Sequence, residues 1–529
     1  MGTDRGTDYR ERAHAMHDLV QRYYIDLSSV DIRGERVDHW NSALAVLTYL
    51  TNGRHLLKGD PSTGKPSLAS LVSGIFGGVP PSIAMRMLVK GTPDLTREDI
   101  NGRFHYGKLN GQEELVVWPL RHLMPFFSID ELFRIPTKLQ SMLLTGVEDG
   151  GWDYAGSYFI DVGARPGFFT VNPKDSGSFE LTYALLDRLS VSSEHWPLPA
   201  LQQDKMDIAN MLRDVELTGK LSKDILPASM AKAVRNAPTK AIEEIVRGIE
   251  DVGKDCLSEF EKRRDMVDGL RGSYREQVLT PLLDGAEPLT EEEMQAVRME
   301  MRSIPFDQAT LCMKFWFEAC LNINQVWGIN RSEDAEMMAS LANNRNWPDS
   351  SQAVALVRGP FTNRAQRDTD RLARALSWWM GKPSIDPETY RTAMVYAVNH
   401  RLEYQDHFRD SHLKAKRNRD MQVYLTQELL EDMSKDFSMK EKDYLGIVTV
   451  VTNPDFDPTK REGQKGYDPK KSLSDKHWKE LEDVAHPVLE AVRRELRERG
   501  IEVDDPAAKK LAEMADAEKQ RKPKDDDEQ

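Results

Sequence analysis

A lysine preceded by two spaced glycines is the densest piece of chemistry in this chain. Gly59-Asp60-Pro61-Ser62-Thr63-Gly64-Lys65 has G-x-x-x-x-G-K spacing, follows an apolar run ending at Leu56-Leu57, and leads into Ser67 to Ile75, which reads as a helix. Strand, glycine loop and helix in that order make a phosphate cradle. The glycines let several backbone N–H groups converge on one anion, the helix N-terminus adds positive dipole, and Lys65 reaches the β- and γ-phosphates. One residue breaks the pattern. The hydroxyl that holds Mg²⁺ belongs immediately after the lysine, but Pro66 stands there and Ser67 comes one place later. Proline lacks an N–H and is tolerated in the first turn of a helix. The fold survives, while the loop gives up one amide and one metal-ligating hydroxyl, which Ser67 or a water can replace.

Further along, Pro125-Phe126-Phe127-Ser128-Ile129-Asp130-Glu131 reads as a short buried strand ending in two acids. An acid in Asp130's position orients Mg²⁺ or its waters. Glu131, next to it, is placed to polarise an attacking water as general base. A buried strand followed by a surface turn has the same look. The phosphate loop upstream, separated by room for the intervening βαβ units, favours the catalytic reading.

The order of further motifs resembles one family, the MoxR-type AAA+ ATPases, in the same broad clade as the magnesium-chelatase motor subunits. Asp130 to Leu144 (DELFRIPTKLQSMLL) is similar to the family's D-E-x-x-R-x-P-x-K-x-Q-S-x-L-L stretch. Gly91 to Leu95 and Asp99 to Gly102 resemble the segment before its helix-2 insert. Phe168 to Pro173 resembles the sensor-1 strand, which makes Asn172 the sensor. Ala184 to Leu189 resembles L-L-D-R-F, whose arginine, here Arg188, acts as a finger on the neighbouring subunit's nucleotide. Gly359 to Arg364 resembles the G-x-S-P-R opening of a helical lid, with Arg364 as sensor 2 and Asn363 in place of the proline. Ile385 to Glu388 and Asn399 to Leu402 match the lid's last helix. The resemblance covers roughly residues 25–190 and 355–405. It implies ATP and Mg²⁺ as ligands, a nucleotide site over Gly59 to Ser67 and metal contacts from Asp130 and Ser67. It also implies a ring of six subunits and a protein partner, often one with a von Willebrand factor A-type domain.

The chemistry demanded of these residues is general. Phosphoryl transfer is accelerated by positioning and by positive charge on the γ-phosphate oxygens. Lys65 and the loop amides supply charge from one side, Asp130 fixes the metal, Glu131 and Asn172 hold the water, and an arginine from a neighbour makes turnover depend on assembly.

Composition fits an intracellular machine part. The 529 residues suffice for two to four domains, with 40% hydrophobic and 30% charged content. A net charge of −14 argues against general attraction to nucleic acid. Three cysteines, Cys256, Cys312 and Cys320, lack metal-ligand spacing and point to a reducing, cytoplasmic setting. There is no apolar N-terminal leader pattern and no apolar run long enough for a membrane span.

Along the chain, the expected fold class is α/β. An N-terminal helical segment (1–24) precedes a parallel-sheet P-loop core of the AAA+ kind with a helix-2 insert (25–197). A mostly helical insertion (198–355), an α-helical lid (356–405), a mixed C-terminal region (406–512) and a disordered charged tail (513–529) follow. Strands are expected at Val116-Val117-Trp118, Phe126 to Ile129, Phe168 to Val171 and Tyr444 to Val451, and a long helix over Ala241 to Arg271. Leu289-Thr290-Glu291-Glu292-Glu293 reads as a capped helix start. A hairpin over Gly150 to Asp161 carries Trp152 and Tyr154, which either grip a polypeptide or pack in the hairpin's own core. The basic run Lys414 to Arg419 reads as a solvated helix face. The function expected is a ring-forming ATPase that remodels or assembles a protein partner. A nucleotide-gated scaffold with little hydrolysis, motivated by Pro66, is one alternative and a chelatase-like motor subunit another. A nucleic-acid motor is weaker still.

Overall fold

A computed structural model describes residues 3–104, 116–154, 158–173, 179, 181–199, 202–220, 231–255, 259–321, 357–358, 361–404, 408–410 and 421–435. At its centre are five strands, β1 (Arg54–Gly59), β2 (Val89–Lys90), β3 (Phe127–Asp130), β4 (Gly167–Val171) and β5 (Val191–His195), in the order β5-β1-β4-β3-β2. All four pairings are parallel. β1 and β4 are buried along nearly their whole length, as strands covered on both faces must be. Alternate residues serve opposite cores. Leu57 and Phe168 face one apolar cluster, Leu56 and Phe169 the other.

The larger cluster holds α1 (Thr3–Tyr23), α2 (Trp40–Leu50) and α3 (Lys65–Gly77). The smaller one holds α4 (Thr137–Glu148), which returns from the end of β3 to the start of the sheet. The antiparallel hairpin of Gly151–Tyr154 with Tyr158–Asp161 packs there too. Trp152 is 1% exposed and lies against Phe127 and His122, so the hairpin aromatics Trp152 and Tyr154 are core residues. The exposed aromatic of the hairpin is Phe159, at 65%.

Two expectations need correction. Val116–Val117 does not join the parallel sheet; it pairs antiparallel with Arg103–Phe104 in a separate ribbon. The long helix over Ala241 to Arg271 is two helices, Thr239–Lys254 and Phe260–Tyr274, because Asp255 leaves the helical region. Their charged outer faces run on in one pattern across the break, which hid it. The Tyr444 to Val451 strand, the Lys414 to Arg419 run, Cys256 and the tail lie outside the described residues. So do the side chains of Cys312 and Cys320.

The described part of the insertion is not a satellite. Ile242, Val267, Tyr274 and Phe317 belong to the same cluster as α1 to α3. Its helix α5 (Glu291–Ser303) starts with the expected capping box. Glu293 N donates to Thr290 Oγ1 at 3.2 Å and Thr290 N to Glu293 Oε2 at 2.8 Å. Met294, Val297 and Met301 bury one face of α5. The two helices of the stretch expected to form a lid follow, α6 (Asn363–Trp379) and α7 (Pro387–Val398). Asp386 caps α7 by accepting from Thr389 N at 2.9 Å, with Pro387 at its first position.

A buried arginine fastens this lid to the sheet. Arg401, 2% exposed, donates to Asp187 O at 2.9 Å, Leu189 O at 2.8 Å and Asp368 Oδ2 at 2.6 Å. Removing Arg401 leaves the buried Asp368 only the longer contact to the partly exposed Arg371, 3.5 Å away. Arg401→Met is expected to lower unfolding free energy by about 3 kcal/mol, read by denaturant titration. A loss below about 1 kcal/mol would mean that the bolt carries little.

Candidate functional site

The C-terminal ends of β1, β3 and β4 meet at one edge of the sheet, and there the first group of candidate residues gathers. β1 ends at Gly59. A Cβ built on Gly59 would stand 2.3 Å from the carbonyl oxygen of His195, so only glycine lets β1 and β5 approach this closely. Asp60, Pro61, Ser62 and Thr63 form the turn, and Thr63 Oγ1 donates to Asp60 O at 2.9 Å. Gly64 caps α3 with φ of 76° and faces the ring of Tyr24. Ser62 adopts φ of 63°, a left-handed conformation that costs a non-glycine residue about 1–2 kcal/mol.

Lys65 opens α3 and is buried. Its ammonium donates to Gly59 O at 2.8 Å, Asp60 O at 2.6 Å and Thr63 Oγ1 at 3.1 Å. Burial lowers its pKa from the ordinary value, against the pull of Asp130, Asp60 and Glu131. Those three carboxylates thus lie near enough to favour the charged form of Lys65. Pro66 occupies the first turn without breaking the helix. Ser67, one residue on, is turned by about 100° around the helix axis from the place a metal-ligating hydroxyl would hold.

Asp130 ends β3 and Glu131 follows with φ of 56°. Left-handed backbone at a non-glycine residue persists where surroundings enforce it. Here the enforcer is Thr170 on the adjacent β4, which sequence reasoning missed. Its hydroxyl donates to Asp130 Oδ1 and accepts from Glu131 N at 3.0 Å, so one side chain orients both acids. A lone polar residue in the apolar strand Gly167-Phe168-Phe169-Thr170-Val171 was the available signal. Glu131 is half-exposed beside Arg134, 3.3 Å away. Asn172 follows β4 immediately, two residues from Thr170. Register places Val171 opposite Lys58, which sets Asn172 beside the start of the loop.

Among the described residues no group of three or more His, Cys, Asp or Glu forms a metal cage. Asp130, oriented by Thr170, fits a hard cation that keeps most of its waters.

Arg188 and Arg364 lie elsewhere. Arg188 comes just before β5, at the strand-start edge of the sheet, and its Nε is 2.8 Å from Glu148 Oε2. Arg364, in the first turn of α6, donates to both Glu148 oxygens at 3.0 Å and to Asp187 Oδ2 at 3.4 Å. Glu148 ends α4, and Arg54, the first residue of β1, donates to Val147 O at 2.7 Å beside it. Arg54 and Gly59 mark opposite ends of one strand, about 17 Å apart. The two arginines thus share one cluster with each other, and neither shares an edge with Lys65. The cluster borders a polar cavity of about 590 Å³.

Between the two edges runs a buried polar column. His55 Nε2 and Ser193 Oγ are 2.8 Å apart, Ser193 Oγ and His195 Nε2 3.0 Å, and His195 Nδ1 and Tyr24 OH 3.4 Å. Lys58 donates to Asn399 Oδ1 at 2.9 Å and Gln422 Oε1 at 2.6 Å, joining β1 to the end of the lid and to the helix at 422–435.

No protein family and no curated protein matches this chain. A solved structure of a proposed ATPase from Cytophaga hutchinsonii is similar at 15% identity and a TM-score of 0.49, over 82% of this chain and 96% of that one. Among the described residues no single helix is long and apolar enough to cross a membrane.

Burial lowers the pKa of His195 from 6.5 to about 4, and that of His55 well below its ordinary value. A folded-state value below the unfolded one means that the unfolded chain binds more protons in this window. The stabilisation is complete above about 6.5 and is lost as pH falls towards about 4. Thermal melts are expected to drop steadily from pH 7 to pH 5, with a shallower slope in His195→Gln. A midpoint independent of pH over that range would contradict the neutral column.

Proposed function

We propose that the chain is an AAA+ ATPase of the MoxR type. It binds ATP over Gly59 to Ser67 and gains its full catalytic set only when subunits assemble as a ring. In that ring it uses ATP to remodel or assemble a protein partner, a von Willebrand factor A-type domain being the partner class the resemblance implies. One observation carries this reading. The phosphate loop with its two acids and the arginine pair Arg188 and Arg364 occupy opposite edges of one sheet. A single chain cannot bring both to one nucleotide without unfolding the sheet. A head-to-tail contact, repeated to closure, does.

In this mechanism Lys65 and the loop amides neutralise the β- and γ-phosphates. Thr170 holds the carboxylate of Asp130 and fixes the backbone of Glu131, so that the Glu131 carboxylate takes up a proton from the attacking water. Asn172 hydrogen-bonds that water or the γ-phosphate. Mg²⁺, when bound, supplies charge neutralisation across the phosphate oxygens. Arg188 of the next subunit meets the charge that develops on the γ-phosphate, a contribution of about 10³–10⁵ in rate for an arginine finger. Glu148 keeps that arginine paired within its own chain and must release it on assembly.

A second reading is favoured by Pro66 and by the turn of Ser67 away from the loop. In it the chain binds ATP and assembles, with little hydrolysis. Phosphate release at rising protein concentration separates the two. The motor reading expects specific activity that grows with concentration and disappears in Lys65→Ala and in Glu131→Gln. Tight Lys65-dependent ATP binding with no turnover at any concentration would favour the scaffold. Thr170→Val is expected to reduce turnover by about 10–100-fold while ATP binding is retained. Unchanged turnover in that variant would remove Thr170 from the mechanism.

A further inference from the structure

The insertion reaches the arginine cluster, and this is where it acquires a role. Arg298 and Arg302 lie one turn apart on α5. Arg364, Arg367 and Arg371 recur at helical spacing on α6. All five, with Arg188, line the cavity of about 590 Å³ at the strand-start edge. Some are neutralised in place. Arg298 stands 3.3 Å from Glu291, and Arg371 3.5 Å from Asp368. Arg367 is exposed, and its only bond among the described residues is to its own helix, at Asn363 O, 3.3 Å. Arg302 is exposed on the same rim and, like Arg188 and Arg364, is engaged within its own chain before assembly. Seven arginines and five acids, Glu148, Asp149, Asp187, Glu291 and Asp368, line the cavity, so arginines remain in excess and raise its potential. That potential suits a polyanion.

We infer that Arg302 of the insertion and Arg367 of the lid contact the triphosphate bound by the neighbouring subunit, beside Arg188 and Arg364. The inference rests on the ring reading above and adds to it. α5 is fixed for the task by its buried face. Met294, Val297 and Met301 sit in the core, and Glu300 Oε2 accepts from Trp378 Nε1 of α6 at 3.0 Å. The two arginine-bearing helices are thus bonded directly to one another. On this account the insertion forms one wall of the intersubunit nucleotide site.

Mixing of variants tests this, because a residue that acts across the interface can be supplied by another chain. Arg302→Gln/Arg367→Gln keeps its phosphate loop, and Lys65→Ala keeps its arginines. Each alone is expected to release phosphate at least about tenfold more slowly than the unaltered protein, and a mixture is expected to regain activity. The control pair is Arg188→Ala with Lys65→Ala. Regain in both mixtures supports the inference. If the arginine double variant is as active as the unaltered protein, the inference fails. The same holds if the double variant is inactive and unrescued while the control pair recovers, since its role is then structural. If the unaltered chain turns over and the control pair does not recover, the ring reading falls and this inference with it; if the unaltered chain has no turnover, assembly decides. A second readout needs no turnover. In a Glu131→Gln background, sedimentation with ATP should show weaker assembly once Arg302 and Arg367 are replaced, and equal assembly would overturn the contact.

Discussion

Everything functional in this molecule depends on five parallel strands sharing one direction. Parallel pairing sends every strand end that can carry chemistry to the same edge. It leaves the opposite edge to the turns that lead back into the sheet. Gly59, Asp130 and Asn172 reach the first edge because β1, β3 and β4 end there in register. Arg188 and Glu148 occupy the second because one precedes β5 and the other ends the helix that returns from β3. The distance between the two sets is therefore a property of the sheet and not of any side-chain conformation.

The lid could blur that separation if it were loosely attached, but buried polar contacts hold it. Arg401 joins Asp368 of the lid to the carbonyls of Asp187 and Leu189, and His400 bonds Leu189 O at 2.7 Å. Asn399 bridges Lys58 beside the phosphate loop and the carbonyl of Ser192 on β5. Buried polar groups with several partners specify one arrangement, since leaving any of them unpaired is costly. The contacts tie Asp368 and Asn399, the turn from Asp187 to Leu189, and β1 into one frame.

Much of this was legible in the sequence, for identifiable reasons. Glycine and lysine spacing, a hydrophobic strand ending in acids and a Thr-x-x-Glu cap are local patterns, and local patterns survive into structure. Val116-Val117 was misplaced because a two-residue apolar run carries no information about its partner strand. Trp152 and Tyr154 could not be assigned to surface or core from the hairpin pattern, because their burial depends on Phe127 and His122, distant in sequence. Thr170, Glu148 and Arg401 went unnoticed for the same reason: each matters through a residue on another element. The joint position of Arg188 and Arg364 is a tertiary fact, hidden in motifs read one at a time.

The central claim is that a nucleotide bound at Lys65 meets Arg188 of a different chain. A structure of the assembled Glu131→Gln protein with ATP, solved by electron cryomicroscopy, tests it most directly. The account predicts a triphosphate lying between Lys65 of one subunit and Arg188 of the next, with Arg188 released from Glu148. Arg188 still paired with Glu148 of its own chain, with no neighbouring arginine within contact of the γ-phosphate, would contradict it.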